Sequence, residues 1–289
     1  FLEPIMKCLL APVFIAMLPC SVTAAVYYVS ANGSDIADGL SPASTWRTID
    51  KVNAQGGSGH SFLFRRGDVF RGEIRANGSN ITYGAYGADE RPVVSGSIAV
   101  TNWTWDSAHN CYVADNTNVI RHLFVNGELM RIARYPDADT PNLGWLETDS
   151  GSSRKTFYDA ALGAYGRPDN YWTGATLRIR PIGWQFEMRK VTNSTAGGTI
   201  SLDTDIADTS GSTITRGCGY YLDGVLGELT DTNEWFQDTS AGKVYLLPPG
   251  GAHPGTMSVE GMCREHGIYM EWQKTGMLVE NLAFDHQVD

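Results

Sequence analysis

The sequence predicts an all-β protein in which short strands coil into a stack of parallel rungs. Three extended runs, at residues 61–64, 80–87 and 92–97, carry this prediction. They are rich in β-branched and aromatic residues and bounded by Gly, Asn, Asp or Pro, which is typical of strands between tight turns. Glycines interrupt every apolar series that has helical spacing in this stretch. Asn77-Gly78 is the only hairpin-type turn nearby. Stacked rungs therefore fit better than a helix or a hairpin meander, and each rung needs a neighbour to bury its inward side chains.

Composition supports a folded chain and limits its partners. Of the 289 residues 42% are hydrophobic and 19% charged, with 32 Gly and 12 Pro, so a Gly-rich β protein with a sizeable core is favoured over disorder. The net charge is -10, and no Lys/Arg cluster is present. Binding to nucleic acid or an anionic membrane needs a basic face, so the sequence argues against both. The simpler explanation of the acidic balance is that it keeps a secreted protein soluble. We expect a monomer.

Residues 1–25 have the features of a secretory signal. Met6-Lys7 is followed by an apolar run over residues 8–18 and then by small residues up to Ala25. The apolar run is too short to span a bilayer. We therefore expect cleavage after Ala25 and a protein that is secreted, periplasmic or on the cell surface.

Three cysteines follow this signal region: Cys111, Cys218 and Cys263. Their number is odd and their spacing does not match a metal-ligand motif. One disulfide with a free thiol and three buried thiols are both compatible with the sequence. We therefore predict no metal site.

The first elements after the signal are a strand from Val26 and a short helix. Trp46, Ile49 and Val52 recur at three-residue spacing, which predicts an amphipathic helix over residues 45–53. Such a helix can cap the open end of a strand stack and shield its edge.

The middle of the chain predicts an inserted β subdomain. Residues 101–255 contain many short β runs separated by Gly, Asn and Asp. We therefore assign residues 26–100 to an N-terminal cap and first rungs, 101–255 to the insertion, and 256–289 to a resumed rung.

The resumed rung is predicted from three strands at residues 257–260, 267–272 and 276–284. We expect the side chains of Val279, Leu282 and Phe284 to point inward. Asn281 is expected at a corner between strands.

Several motifs are shared with a known group of proteins. In the first hundred residues they are Tyr27-Tyr28-Val29-Ser30, Asn32-Gly33-Ser34-Asp35, Arg66-Gly67-Asp68-Val69-Phe70-Arg71-Gly72 and Ile81-Thr82-Tyr83-Gly84-Ala85-Tyr86-Gly87. In the insertion they are Leu123-Phe124-Val125-Asn126-Gly127-Glu128, Arg131-Ile132-Ala133-Arg134-Tyr135-Pro136, Asn233-Glu234-Trp235-Phe236-Gln237-Asp238 and Lys243-Val244-Tyr245-Leu246-Leu247-Pro248-Pro249. Together they resemble the N-terminal region of secreted, pectate-lyase-like right-handed parallel β-helix proteins, with the later motifs closest to glycoside-hydrolase-like members.

This resemblance implies a right-handed parallel β-helix with an inserted β-rich subdomain, acting on a polysaccharide or oligosaccharide. In hydrolases of this group two carboxylates act as acid and as base or nucleophile. In the lyases a Lys, Arg, His or Tyr removes a proton beside a uronate carboxylate, whose charge Ca²⁺ or basic side chains neutralise. No cofactor is evident, and Ca²⁺ is implied only for a lyase. Both chemistries usually draw on central rungs, which would lie beyond Asp289, so we expect an N-terminal fragment that lacks most catalytic residues.

The candidate catalytic residues within the chain are Asp285 and His286. They follow the last predicted strand and would project from the rung surface, although a solvated turn is the simpler explanation. The candidate substrate-binding residues are Arg134, Glu271 and Trp272. Arg134 precedes Tyr135-Pro136 and can instead brace the insertion, while Glu271 alternates with apolar neighbours as an ordinary exposed residue does.

Four tryptophans offer aromatic faces on which a sugar ring can stack: Trp172, Trp184, Trp235 and Trp272. Core packing is the alternative role, above all for Trp235. Three functions therefore remain open: a glycoside hydrolase, a lyase acting on uronate-containing glycans, and a non-catalytic β-helix that binds glycans or acts in adhesion. Convergent carboxylates or basic residues on the groove would favour an enzyme, and a groove with aromatic residues alone would favour adhesion.

Overall fold

The computed structural model describes residues 24–151, 153–206 and 213–288. Up to residue 23, the predicted signal region lies outside the described residues. The described part of the chain is mainly β, which confirms the all-β prediction.

The strands up to residue 147 are, in chain order, β1 Val26–Val29, β2 Ser61–Arg65, β3 Val69–Arg71, β4 Ile74–Ala76, β5 Thr82–Tyr86, β6 Val93–Ser95, β7 Ser97–Ala99, β8 Thr104–Asp106, β9 Cys111–Asp115, β10 His122–Val125, β11 Glu128–Leu129, β12 Arg131–Ile132, β13 Arg134–Tyr135 and β14 Leu146–Glu147. The later strands are β15 Thr156–Tyr158, β16 Thr176–Ile182, β17 Gln185–Ser194, β18 Thr199–Leu202, β19 Gly219–Asp223, β20 Glu234–Asp238, β21 Lys243–Leu247, β22 Val259–Met262, β23 Ile268–Met270, β24 Leu278–Val279 and β25 Ala283–Asp285. The α-helices are α1 Ile49–Gln55 and α2 Ala160–Ala164, and the 3-10 helices are Pro141–Gly144, Leu226–Glu228, Pro249–Gly251 and Pro254–Thr256.

The chain divides into two compact units. The first contains the described residues up to Phe70, together with Ile74–Val93 and Ile268–Ala283. The second contains Arg71–Glu73, Val94–Gly267 and the residues from Phe284 onward.

The first unit contains a four-stranded sheet in the order β1-β2-β5-β24, with all neighbours parallel. Its register places Tyr27, Phe62, Tyr83 and Val279 opposite one another on successive strands. The ring centroids of Tyr27 and Phe62 lie 5.6 Å apart and those of Phe62 and Tyr83 lie 5.5 Å apart, both stacked. Phe62 and Tyr83 are buried, so one column of side chains forms a continuous apolar spine through the sheet.

Helix α1 begins later than the sequence predicts. Thr48 is its N-cap, and the Thr48 hydroxyl accepts a hydrogen bond from the Lys51 backbone N–H at 3.1 Å. Trp46 instead lies before the helix, buried and stacked on Tyr27 with ring centroids 4.4 Å apart. Ile49 and Val52 are buried, as the amphipathic pattern predicts.

The second unit is built mainly from antiparallel sheets. The largest has the order β13-β19-β16-β17-β18-β15, with β14 also paired to β19. A five-stranded sheet has the order β12-β20-β21-β9-β8 and is antiparallel except for β12 and β20. A four-stranded antiparallel sheet has the order β11-β10-β22-β7.

Two sequence predictions near the end of the chain are wrong in detail. The run at 257–260 was expected as a parallel rung, but β22 pairs antiparallel with β10 and β7. The run at 276–284 forms β24 and β25, separated by Asn281 at a positive φ of 58°, as expected for a corner. Leu282 is buried as expected, whereas Phe284 is 40% exposed, so its predicted inward direction is wrong.

Candidate functional site

The two candidate catalytic residues lie at the end of β25 in the second unit. Asp285 ends the strand, and His286 follows with a positive φ of 57°. The carbonyl of Asp285 accepts a hydrogen bond from the Gly96 N–H at 2.9 Å. A Cβ atom at Gly96 would lie 2.3 Å from the His286 carbonyl oxygen, so the close approach of these two segments requires glycine there.

His286 is held by an aromatic contact and lies between two carboxylates. Its ring stacks on Phe124, with centroids 4.0 Å apart. Its Nδ1 atom lies 4.0 Å from Oε2 of Glu260, and its Nε2 atom lies 3.6 Å from Oδ1 of Asp285. The side chain is only 11% exposed, and Nδ1 is a buried atom with no hydrogen-bond partner within the described residues.

Glu260 is oriented from its other side by Arg71 and Ser97. The Arg71 guanidinium forms an ion pair with Oε1 of Glu260, and the Ser97 hydroxyl donates to the same oxygen at 3.1 Å. The hydroxyl of Ser95 lies 2.8 Å from that of Ser97 and extends this polar contact. The Glu260 carboxylate is therefore fixed in direction while remaining partly accessible to solvent.

We call this group the His286 cluster: Arg71, Ser97, Phe124, Glu260, Asp285 and His286. Asp285 and His286 were candidates in the sequence, but Glu260 and Arg71 were not. Arg71 and Glu260 are 189 positions apart, and antiparallel pairing of β22 with β10 places Glu260 opposite Phe124. No local signal in the sequence indicates such a contact. The cluster contains two carboxylates, an imidazole and a guanidinium. These functional groups are suited to acid–base chemistry on a polar substrate.

Arg134 supports its own subdomain. Its Nε donates to the carbonyl of Pro136 at 2.9 Å, and its Nη2 donates to the carbonyl of Gly144. The guanidinium also lies over the ring of Tyr221 at 3.6 Å from the centroid. Burial lowers the pKa of Arg134 from its ordinary value. These contacts favour a bracing role over direct substrate binding.

The other candidate binding residues lie in the first unit. Glu271 follows β23, and its backbone N–H donates to the carbonyl of Ala76 at 3.1 Å. Trp272 is next in the chain and is 86% exposed. Both are accessible side chains, but they belong to a different unit from Asp285, His286 and Arg134.

The remaining tryptophans divide by burial. Trp172 and Trp235 are buried in the cores of the second unit, which confirms the packing alternative for both. Trp184 is 80% exposed at the turn between β16 and β17. It is therefore free to contact a ligand, as a core tryptophan is not.

The three cysteines after the signal region are free thiols in the structure, with Cys111 and Cys218 buried and Cys263 half-buried. Across residues 24–151, 153–206 and 213–288, no cluster of three or more His, Cys, Asp or Glu side chains is arranged to hold a metal ion. In the same ranges, none of the helices has the length and apolar character needed to cross a bilayer.

No protein-family model matches the chain, and no curated protein matches it in sequence. Its fold is similar to that of a solved structure named "Glycoside hydrolase", with a TM-score of 0.69, 18% identity, and coverage of 91% of this chain and 51% of that one. A complex of XylC with xylose matches at a TM-score of 0.44 and 13% identity, covering 91% of this chain and 35% of that one. The GH136 lacto-N-biosidase from Eubacterium ramulus matches at a TM-score of 0.23 and 28% identity, over 26% of this chain and 14% of that one. The chain thus spans about half the length of the first of these structures, with which it shares a fold.

Proposed function

We propose that the chain is the N-terminal part of a secreted glycoside hydrolase that degrades a polysaccharide or oligosaccharide. The observation that carries this proposal is the placement of two carboxylates, Glu260 and Asp285, on either side of His286. Glycoside hydrolysis requires two carboxyl groups flanking the scissile bond. The shared fold with a structure named as a glycoside hydrolase supports the same proposal, although a fold alone does not define an activity.

The fold proposed for the whole protein is a right-handed parallel β-helix with an inserted β-rich subdomain. Its support is the in-register parallel pairing of β1, β2, β5 and β24 and the parallel pairing of β23 with β4. In this proposal residues 26–100 form the cap and first rungs, 101–255 the insertion, and 256–289 a resumed rung, except that 257–260 is excluded from the rung because β22 pairs antiparallel.

The proposed location follows from the signal region at residues 1–25. We propose a protein that is secreted, periplasmic or on the cell surface, is monomeric, and binds neither nucleic acid nor a membrane. The acidic net charge of -10 supports the last point.

In the proposed mechanism Glu260 and Asp285 supply the acid and the base or nucleophile. Arg71 and Ser97 fix the direction of the Glu260 carboxylate. Both carboxyl groups lie within 4.0 Å of the His286 imidazole, which is itself held by its stack on Phe124. Such preorganisation matters because a small displacement of a catalytic group costs a large part of the rate.

A lyase acting on uronate-containing glycans is the second candidate. The combination of His286 with the partly exposed guanidinium of Arg71 favours it. A lyase needs a base and a cation that neutralises the uronate carboxylate, and His286 and Arg71 would fill these roles if the uronate replaced Glu260 as the partner of Arg71. Ca²⁺ would be a further means of neutralisation.

The experiment is to incubate the purified chain with a panel of neutral and acidic polysaccharides and to measure two products. New reducing ends without unsaturated sugars support a hydrolase, and ultraviolet-absorbing unsaturated products support a lyase. Replacement of His286 by Ala or of Asp285 by Asn should lower the rate by about 100-fold or more. If neither product is released from any glycan, the catalytic assignment of this chain is wrong, and binding without turnover would favour the adhesion function.

A further inference from the structure

One face of the largest sheet in the second unit is exposed and carries aromatic and basic side chains. In β16, β17 and β19 the register places Arg178 opposite Met188 on one side and opposite Tyr221 on the other. The neighbouring positions Leu177 and Ile179 point to the opposite face, where they are buried in the core. Alternation along the strands therefore directs Arg178, Met188 and Tyr221 away from the core.

Trp145 lies at the centre of this exposed face. Its ring packs against Gly219, where a Cβ atom would lie 3.3 Å from the indole. Phe186 and Tyr221 meet it edge-on, with ring centroids 6.1 Å and 5.1 Å away. The Arg180 guanidinium lies 6.0 Å from the Trp145 ring centroid. We call this group the Trp145 face: Trp145, Arg178, Arg180, Phe186, Met188 and Tyr221.

Phe186 and Met188 are the exposed apolar members of the Trp145 face, whereas Trp145 and Tyr221 are partly buried. Phe186 and Met188 are about half-exposed, with values of 50% and 53%, and Trp184 extends the same hairpin at its tip. Exposed aromatic side chains grouped in this way mark a binding surface more often than isolated ones do. An aromatic ring beside hydrogen-bonding groups suits a sugar, which has apolar ring faces and a polar rim.

The face continues into a cleft. The next row of cross-strand residues is Thr176, Lys190 and Asp223, about 7 Å along the strands. These residues line one wall of a cleft of about 660 Å³ that Phe236 and Gln237 help to close on the other side. A cavity of this volume lies within the ordinary range for ligand sites.

The charged side chains of the Trp145 face and its cleft indicate whether the ligand is neutral or anionic. Four cations lie on the face and its adjoining cleft, Arg134, Arg178, Arg180 and Lys190, against three carboxylates, Glu147, Asp223 and Asp238. Asp223 is already engaged by Arg178, whose Nε lies 2.5 Å from Oδ2. The local excess of positive charge stands out on a chain of net charge -10 and complements an anion.

We propose that the Trp145 face and its adjoining cleft form a binding surface for a carboxylate-bearing oligosaccharide, of the uronate class. Sugar rings stack on Trp145 and Phe186, and the ligand carboxylates receive charge-assisted hydrogen bonds from Arg180 and Lys190. Binding at this surface requires none of the residues of the His286 cluster. It therefore stands whether or not that cluster is catalytic.

The test is calorimetric titration of the full chain with a short oligogalacturonate and with a neutral oligosaccharide of the same length. The acidic ligand should bind more tightly, and added salt should weaken it. Arg180→Gln and Phe186→Ala should each weaken binding by about tenfold, the loss expected for one charge-assisted contact or one stacking contact. Arg65→Gln, in the first unit, and Trp105→Ala, an exposed tryptophan on β8, are matched controls that should bind as the unmodified chain does.

His286→Ala should also bind normally, which separates this inference from the proposed activity. Equal binding of the neutral and acidic ligands, or unchanged affinity in Arg180→Gln, would overturn the proposal. The proposal would also be overturned if light scattering showed that the unmodified chain is a dimer and that Phe186→Ala is a monomer. The Trp145 face would then be covered by a second copy of the chain. Absence of binding to the acidic ligand would overturn it as well.

Discussion

The imidazole of His286 lies with its Nδ1 atom 4.0 Å from Oε2 of Glu260, while Arg71 and Ser97 hold the other oxygen of that carboxylate. Glu260 is therefore fixed at Oε1, while its Oε2 atom faces the imidazole of His286. A substitution of Glu260 is therefore the most direct test of the proposed catalytic role of the His286 cluster.

Replacement of Glu260 by Gln should abolish most of the proposed activity. The amide keeps the size of the side chain and can still accept from Ser97, but it cannot exchange a proton or act as a nucleophile. The rate should fall by about 100- to 10,000-fold, the usual contribution of an acid–base group, measured as release of reducing ends or unsaturated products. Asp115→Asn, which removes an exposed carboxylate paired with Lys243, is the control. Unchanged turnover in Glu260→Gln would remove Glu260 from the mechanism.

Arg134 is expected to matter for stability and not for turnover. In Arg134→Lys a single ammonium nitrogen cannot occupy both the Nε and the Nη2 positions from which Arg134 donates to Pro136 and Gly144, and it lacks the planar group that lies over Tyr221. We expect the free energy of unfolding to fall by about 1–3 kcal/mol, measured by denaturant titration. Arg131→Lys is the matched control, since Arg131 pairs at 3.5 Å with the exposed Asp139, a pair worth about 0–1 kcal/mol. A raised KM with unchanged stability would instead support substrate binding by Arg134.

The local features of this fold could be predicted from the sequence because they depend on neighbouring residues. Strand β1 coincides with the predicted run from Val26, Ile49 and Val52 are buried on one helical face, and Asn281 occupies the left-handed corner. The start of the helix was misplaced because the Thr48 cap ends the extended segment that contains Trp46. Propensity alone does not show where a side chain will cap a helix.

The pairing of β22 and the set of residues in the His286 cluster could not be predicted from neighbouring residues in the sequence. Whether 257–260 pairs parallel or antiparallel depends on partners more than a hundred residues away, such as Phe124 opposite Glu260. The contact of Arg71 with Glu260 also joins residues that are far apart in the sequence, 189 positions from each other. Asp285 and His286 became candidates because they follow the predicted strand at 276–284, whereas nothing in the sequence set Glu260 apart from other strand residues.

The cysteines should remain unreactive in the native protein. Burial, with a smaller effect of Asp106, raises the pKa of Cys111 to about 11, and burial also raises the pKa of Cys263. Little thiolate is then present at neutral pH, so alkylation by iodoacetamide should be slow until the chain unfolds. Cys263, the most accessible of the three, should be modified first. Mass spectrometry of digested samples measures the extent of alkylation at each cysteine. Rapid labelling of native Cys111, or a disulfide-linked peptide, would contradict the prediction.

The apolar column through the first unit should contribute strongly to stability. Phe62 lies between Tyr27 and Tyr83 and is fully buried, so Phe62→Ala leaves a cavity and removes two stacking contacts. We expect a loss of about 3–5 kcal/mol in the free energy of unfolding, measured by urea titration. Val26→Ala, at an exposed position of the neighbouring strand, should cost less than about 1 kcal/mol. Similar losses for the two variants would mean that the column does not dominate the packing of this sheet.

Glu234 should make the protein less stable as pH rises. It is 1% exposed, and burial, followed by repulsion from Asp137, raises its pKa from 4.5 to about 8. Because the folded state holds this proton more tightly than the unfolded state, the penalty is absent below about pH 4.5, grows up to about pH 8 and is constant above it. Denaturant titrations across this range should therefore show a stability that falls by a few kcal/mol.

Glu234→Gln should remove most of that slope, since the amide is neutral at every pH and its oxygen can still accept from the Asp231 N–H. The variant should match the unmodified chain near pH 5 and exceed its stability near pH 8 by on the order of a few kcal/mol. Glu265→Gln, at an exposed carboxylate paired with Arg121, should keep the original slope. A Glu234→Gln variant with the same pH dependence as the unmodified chain would show that Glu234 is ionised in the folded protein. Its burial would then be compensated by neighbouring cations.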